Sequence, residues 1–475
     1  MTERMSPVGS IMWAVGQDAA LRMVVGNLMI LDRAPSKEAI ADRVDVAAAS
    51  APRLRQRPTA VSGIMSRPVW SNEAAFSSRE HIRVMAVPSP GDLRQVLDLV
   101  TLLELAPFDG NLSPWDMTII EGLEGGRAAI FLRAHHSLTD GLHGVSLLRR
   151  FIDEPEGAPR STTQPPPVMV GDFPLAPDVA DDPLLEWELA HRRRPGTVNI
   201  TIDVAGAVAG AVRPIANGVV AAMRADPVDA VVRRVQHGLD VVDSVSRQVV
   251  VTGGRLSQLS PSRSMNSRFE AFSVDGARST ALALGGSRND LLVAGAAVGL
   301  GAYHEKLGIP CTELRLASPA RWRHATDGGG SVVPVRVEIP AANQHPGPLF
   351  GVVAERLTRA RHEPALRITE LLTAAVSRLP TRFLASTMRA QANTVDFVAT
   401  TLPGIRGVRH FGGAVIEKSF PFGPRLGSLV NITGYGVDDR LDVGVALDPS
   451  AIAEPELLIE CMLKAFEGFV AAHGT

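Results

Sequence analysis

Two stretches of alternating strand- and helix-patterned sequence, held apart by a proline-rich segment that cannot join a sheet, constrain this chain to an α/β architecture of two units. In the first stretch an apolar run from Met23 to Leu31 is strand-like, and Ser36 then caps a helical spacing that continues to Ala48. His81 to Val87 reads as a strand and Gly91 to Leu105 as a helix. Trp115–Leu123 and Arg127–His135 then form two apolar runs joined hairpin-fashion by Glu124-Gly125-Gly126. A similar pattern begins at Phe269. Its strand candidates are Leu314–Ser318, Val332–Ile339, Thr394–Thr401, Leu429–Tyr435 and Leu441–Leu447, and its helices Asp290–Leu307, Leu349–Arg361 and Pro455–Ala472. Between the two stretches lie Pro155, Pro159 and the triplet Pro165-Pro166-Pro167, none of which can donate to a strand ladder. The expected division is residues 1–155, a linker with a helical insertion over 156–265, and residues 266–475.

The 475 residues, 45% hydrophobic and 21% charged, suffice for two ordinary cores. A formal net charge of -2 selects neither nucleic acid nor a strongly charged ligand. Cys311 and Cys461 are the only cysteines, which excludes a disulfide framework and a cysteine-rich metal site and fits a reducing compartment. The apolar patch Ile11–Val15 is too short for a signal peptide. The most membrane-like segment, Val204–Met223, is split by Arg213 and Pro214, so no transmembrane helix is expected and a cytoplasmic protein is. Beside that segment stands Arg192-Arg193-Arg194; contact with a membrane surface and a helical insertion packed on the protein both fit the pairing.

Chemistry concentrates in His135-His136-Ser137-Leu138-Thr139-Asp140-Gly141, an HHxxxDG run at the end of a strand-like segment. A histidine with a pKa near neutrality can take a proton from an alcohol, so one positioned base suffices for acyl transfer from an activated thioester, without a covalent nucleophile. If the period of two persists, Ala128, Ile130, Leu132, Ala134 and His136 share an apolar face, with Arg133 and His135 on the other. That places His136 in a water-poor cleft as the base and leaves His135 to orient the turn. After the motif, Leu142, Val145, Leu148 and Ile152 fall at helical spacing, so Asp140 acts either as an N-cap or as the anion of a buried ion pair, and Gly141 serves the tight turn. Other chemistries leave little trace. Gly285-Gly286-Ser287-Arg288-Asn289 lacks the last glycine of a nucleophile elbow, and His304-Glu305-Lys306-Leu307-Gly308 lacks the second histidine of a zinc helix; no metal is expected.

Taken in order, Met5-Ser6-Pro7, Pro52-Arg53-Leu54-Arg55, Pro88-Ser89-Pro90-Gly91, Pro114-Trp115-Asp116, the histidine motif, Asn289-Asp290, Ser318-Pro319-Ala320-Arg321 and Thr401-Leu402-Pro403-Gly404 resemble the bacterial wax ester synthase/diacylglycerol acyltransferase family, in the style of its mycobacterial members. HHxxxDG alone also admits chloramphenicol acetyltransferase-like enzymes and condensation domains; the ordered set is more specific. The resemblance implies two chloramphenicol acetyltransferase-like domains with a tunnel at their interface, entered by acyl-CoA from one side and by the acceptor from the other. It implies diacylglycerol acylation to triacylglycerol, with long-chain alcohols as further acceptors, acyl-CoA as co-substrate and no cofactor. His136 is then the general base. Asn289 is a positioning or oxyanion donor, or else the helix N-cap; Trp115 lines the acyl tunnel or is ordinary core; Arg321 or Arg323 pairs with Asp140 or is solvated. A lipid droplet or membrane surface is a possible location. Two departures stand out: Ser113-Pro114-Trp115 where the family has Pro-Leu-Trp, and Gly328-Gly329-Gly330 where it has Gly-Asn. Acyl transfer from a carrier protein and a non-catalytic lipid-binding role are the alternatives.

Overall fold

A computed structural model describes residues 3–18, 21–61, 67–139, 150–153, 257, 259, 266–323, 330–342, 345–361, 385, 388, 392–405 and 407–473. The expected linker prolines, the Arg192–Arg194 cluster and the Val204–Met223 segment lie outside the described residues.

A first six-stranded sheet runs in the order His410–Phe411, Ala414–Phe422, Val24–Leu31, Ala128–His135, Trp115–Glu121, Ile82–Ala86. Its middle is the expected hairpin: Trp115–Glu121 and Ala128–His135 pair antiparallel, and Gly125 turns the connection with φ 74°, a conformation a side chain would strain. Ile82–Ala86 pairs parallel with Trp115–Glu121, which requires a crossover; the helix Leu93–Leu105 supplies it. That helix starts where Asp92 and Gln95 satisfy each other's backbone N–H groups in a capping box. Alternation along Ala128–His135 divides its side chains between two cores. Ile130, Leu132 and Ala134 pack with the helix Lys37–Ser50, whose N-terminus is capped by Ser36, while Ala129 and Phe131 pack with the helix Leu93–Leu105. A strand buried on both faces reads as a continuous apolar run, as this one does.

The second six-stranded sheet has the order Gly330–Pro340, Glu313–Arg323, Phe397–Ile405, Val430–Val437, Arg440–Leu447, Arg268–Val274. Helices Arg288–Lys306, Pro346–Arg361 and Pro455–His473 cover it, and their apolar sides merge with the sheet into one large core. The expected strands and helices of this half are all present, displaced at their ends by a few residues. A small three-stranded sheet joins Glu3–Arg4, Val69–Asn72 and Gln56–Thr59.

One element departs from a division contiguous in sequence. The strand Ala414–Phe422, which follows most of the second sheet's strands, pairs antiparallel with Val24–Leu31 in the first. Buried Asn27 and Ser419 exchange side-chain hydrogen bonds of 3.1 and 3.0 Å across that seam, and the Ser419 amide donates to Asp442 of the second sheet at 2.9 Å. Glu417, Lys418 and Pro421 interrupt the pattern that a strand normally writes into sequence. The chain then returns to the second sheet through Gly423–Ser428, where Leu426 adopts φ 52°. The two cores are thus tied by a shared strand as well as by the contacts of Phe269 and Phe422, whose rings lie 4.7 Å apart.

Candidate active site

The central strand stops at His135, which stands opposite Val24 and donates its N–H to the Pro114 carbonyl at 2.8 Å. The chain then turns into the short helix His136–Thr139, and the His136 N–H donates to the Met23 carbonyl at 2.6 Å. Both bonds keep the register of the two flanking ladders, so the sheet's hydrogen bonding reaches the residue at which the helix begins. His136 opens the helix and is half-buried where His135 is 5% exposed, the reverse of the order that strand alternation suggests.

Local hydrogen bonding settles the state of His135. The Ser137 backbone N–H donates to its Nδ1 at 3.2 Å and the Ser137 hydroxyl approaches the same atom at 2.8 Å, so Nδ1 is the acceptor and the ring proton belongs on Nε2. Nε2 is buried without a hydrogen-bond partner, facing the backbone of Gly16, and the Trp13 ring meets the imidazole edge-on at 4.8 Å. Burial, with the neighbouring His136 charge as the smaller cause, pushes the His135 pKa down from 6.5 to about 3. His135 is consequently neutral throughout the physiological range.

Two residues before it, fully buried Arg133 forms a fork-to-fork pair with Asp116, at 2.8 Å from Nε to Oδ1 and 2.7 Å from Nη2 to Oδ2. It also donates to the Leu103 and Ala106 carbonyls and lies over the Phe108 ring, so every nitrogen of this buried guanidinium has a partner. The pair rivets the end of the histidine strand to Trp115–Glu121 and to the end of the helix Leu93–Leu105. Sequence reasoning gave it no role, although a charge inside each of two adjacent apolar strands is a readable sign of pairing. Ser137 and Gly16 were likewise unassigned; Ser137 at least lies within the motif.

Trp115 is 2% exposed in the first core, its indole N–H donating to the Leu54 carbonyl at 2.9 Å and its ring stacked on His81 at 4.2 Å. This is the ordinary-core reading of that residue, since its polar atom is satisfied inside. Asn289 sits in the first turn of the helix Arg288–Lys306, but the N-cap is Ser287, joined to Asp290 in a capping box, which removes the capping alternative for Asn289. Instead Asn289 Oδ1 accepts from the Thr401 hydroxyl at 2.9 Å and from the Thr401 amide at 3.2 Å, bringing together two of the sequence motifs. Asp140 and Gly141 lie outside the described residues, as does the side chain of Arg321, whose backbone pairs with Val332.

The loop that holds His136 borders the other half of the molecule: Leu21 and Met23 share a small apolar cluster with Ala385, Met388 and Leu426. Among the described residues no cluster of histidine, cysteine or carboxylate could hold a metal ion, and no helix is long and apolar enough to cross a membrane.

Two sheet-rich halves, with His135 and His136 at the end of the first sheet's central strand, make up a chloramphenicol acetyltransferase-like fold. The first condensation domain of the CDA synthetase has this fold, with a TM-score of 0.54, 14% identity and coverage of 99% of this chain and 95% of that one. The family model for the wax ester synthase/diacylglycerol acyltransferase catalytic domain matches residues 5–292, and that for the WS/DGAT C-terminal domain residues 329–469. The chain belongs to the wax ester synthase/diacylglycerol acyltransferase family. A Mycobacterium tuberculosis H37Rv protein assigned by name to the diacylglycerol O-acyltransferases is 27% identical over 479 residues, covering 100% of this chain and 93% of the relative. The wax ester synthase/diacylglycerol acyltransferase of Marinobacter aquaeolei VT8 superposes with a TM-score of 0.60 at 17% identity, over 99% of this chain and 100% of that one.

Proposed function

We propose that this protein transfers the acyl group of acyl-CoA to the free hydroxyl of diacylglycerol, giving triacylglycerol and CoA, and that long-chain alcohols serve as a second acceptor class, giving wax esters. The observation that carries the reading is the asymmetry of the histidine pair: His135 is buried, neutral and fixed in one tautomer, whereas His136 is half-buried at the start of the helix His136–Thr139, its backbone held by the loop whose Leu21 and Met23 touch the second half. His135 adds no second charge beside His136, whose imidazole serves as the base that accepts the hydroxyl proton. The acceptor oxygen then attacks the thioester carbonyl. As the tetrahedral intermediate collapses, the C–S bond breaks and the proton passes from His136 to the departing thiolate, with no acyl-enzyme and no cofactor. Asn289, whose Oδ1 is held by Thr401, has its amide end defined and serves to position the reacting groups. Acceptors of this kind partition into lipid, so the protein works at a membrane or lipid-droplet surface.

The test is thiol release from palmitoyl-CoA with dioleoylglycerol, hexadecanol or no acceptor. Acceptor-dependent release should fall about 100- to 10,000-fold in His136→Ala. An unchanged rate in that variant refutes the assignment of the base.

A further inference from the structure

The small sheet of Glu3–Arg4, Val69–Asn72 and Gln56–Thr59 carries charge of one sign on one face. Directly opposed residues of an antiparallel ladder share a face, and Trp70, turned into the first core, has Glu3 and Pro58 opposite it. The other face therefore holds Val69 with its partners Arg4 and Thr59, and Ser71 with its partner Arg57. The adjoining turn Pro52–Arg55 adds Arg53, paired with Glu3 at 2.8 Å, and exposed Arg55, whose guanidinium lies over the Phe76 ring at 5.3 Å. Arg67 stands just ahead of Val69–Asn72. Arg4, Arg55 and Arg67 make no ion pair among the described residues, and Arg57 donates to the Gly110 carbonyl at 3.4 Å. Asp109, beside that carbonyl, is turned onto the Asn111 amide at 2.8 Å. These arginines are thus left without matching acids on a chain whose net charge is -2.

From that sheet the chain passes through Met5 and Ser6 straight into the helix Pro7–Val15, which has no charged residue. A helix apolar all round belongs in a core or in lipid. This one is only partly covered: Gly9, Ser10 and Val15 are buried, while Val8, Ile11, Met12, Trp13 and Ala14 keep part of their surface open. Ile11, Met12 and Ala14 pack on the cluster of Leu21 and Met23, and Trp13 meets the His135 ring at 4.8 Å. The arginine turn stands at the same end of the first sheet, where the Leu54 carbonyl holds the Trp115 indole and the Pro114 carbonyl holds the His135 amide. Apolar helix, unbalanced arginines and histidine motif therefore share one end of the first half. Apolar side chains bordered by arginine form the composition that seats a segment in a membrane interface, the side chains entering the acyl boundary and the guanidinium groups meeting lipid phosphates. A nucleic acid would match the charge and leave the apolar helix in water.

We propose that the helix Pro7–Val15 and the arginines beside it dock the protein on a bilayer containing anionic phospholipid, so that an acceptor dissolved in that bilayer reaches His136 without crossing water. The route of the acceptor rests on the acyltransferase reading; the docking itself does not. The test is co-sedimentation of the full chain with vesicles of phosphatidylcholine alone, and with part of it replaced by phosphatidylglycerol. Binding should require the anionic lipid and weaken as salt is raised. Combining Arg4→Gln, Arg55→Gln and Arg67→Gln should lower the affinity about 100-fold, roughly 5-fold for each charge, and the corresponding triple lysine variant should keep it. Val8→Asp, which leaves the arginines alone and puts an acid where the first turn of a helix accepts one, should weaken binding as well. With dioleoylglycerol in the anionic vesicles, thiol release by the glutamine variant should fall along with its binding. With dissolved 1-octanol its rate and its palmitoyl-CoA KM should match the wild type. Equal wild-type binding to both kinds of vesicle, or undiminished binding by the glutamine variant or by Val8→Asp, would overturn the proposal. So would a raised palmitoyl-CoA KM with 1-octanol, which would give the arginines to the phosphates of CoA, or binding of an acidic acyl carrier protein that the glutamine variant loses while its vesicle binding persists. Absence of thiol release with every acceptor would count against the acyltransferase reading alone, because co-sedimentation needs no thioester.

Discussion

Gly16→Ala sets two effects of opposite sign against each other. Gly16 ends the helix Pro7–Val15 with φ -63° and ψ -13°, ordinary right-handed helical backbone, and its N–H donates to the Met12 carbonyl at 2.8 Å. Judged by backbone alone, alanine there should stabilise the protein by about 0.4–1 kcal/mol through lost freedom of the unfolded chain. A Cβ at that position, however, would stand 2.5 Å from His135 Nε2 and 3.0 Å from the Met12 carbonyl oxygen. The imidazole would have to retreat by about 1 Å to restore van der Waals contact. It has nowhere to retreat: Ser137 fixes Nδ1, Trp13 closes the edge, and the backbone is at the end of a paired strand. Overpacking of this kind costs about 1–3 kcal/mol, so the clash should win and the variant should lose about 1 kcal/mol net in urea unfolding. A displacement of about 1 Å at His135 is passed to His136, its chain neighbour, and should lower kcat by up to about 100-fold. The reasoning is refuted if Gly16→Ala proves as stable as the wild type, or more so, with thiol release undiminished.

Two further outcomes follow from geometry and charge. Because His135 titrates near 3 in the folded protein and near 6.5 unfolded, the unfolded chain binds more protons below pH 6.5; stability is complete above that value and falls with pH, by about 2 kcal/mol between pH 7 and pH 5 from this residue. His304, lowered by burial, adds to the fall, whereas Glu104, raised by burial, opposes it at the acid end; urea unfolding at pH 7, 6 and 5 checks the slope, and a flat profile would contradict a buried neutral His135. In Gly404→Ala the new Cβ would lie 1.3 Å from the Gly436 carbonyl oxygen, a backbone atom that cannot swing aside, so a loss of about 3 kcal/mol is expected, and an unchanged urea midpoint would show that the two strands can part.

The sequence was most legible where local rules and tertiary demands agree. Ser36 caps its helix as expected, the Glu124-Gly125-Gly126 hairpin forms, and the continuous apolar run of Ala128–His135 is a strand buried on both faces. It was least legible where a single residue decides. Period-two reasoning extended the strand through His136 and buried that residue, but the helix His136–Thr139 begins there and His135 is the buried one. Asn289 was ambiguous between cap and ligand-facing roles because Ser287 and Asn289 are both good capping residues; only the reciprocal bonds between Ser287 and Asp290 separate them. Glu104 carried no signal, since a glutamate in the last turn of an amphipathic helix is expected in solvent, and its burial depends on residues from 267 to 425 meeting it across the interface.

The strand Ala414–Phe422 has a consequence for how the molecule is made. Its partner Val24–Leu31 leaves the ribosome early, yet Asn27 waits for Ser419, 392 residues later. At about 5–20 residues per second, the first sheet has an open hydrogen-bonding edge for roughly 20–80 s of synthesis. An unpaired edge beside an apolar core invites pairing with other chains. The nascent protein therefore passes through a long interval in which its first half has the composition of a finished domain without its closure, and the edge of Val24–Leu31 is where pairing with another chain would start.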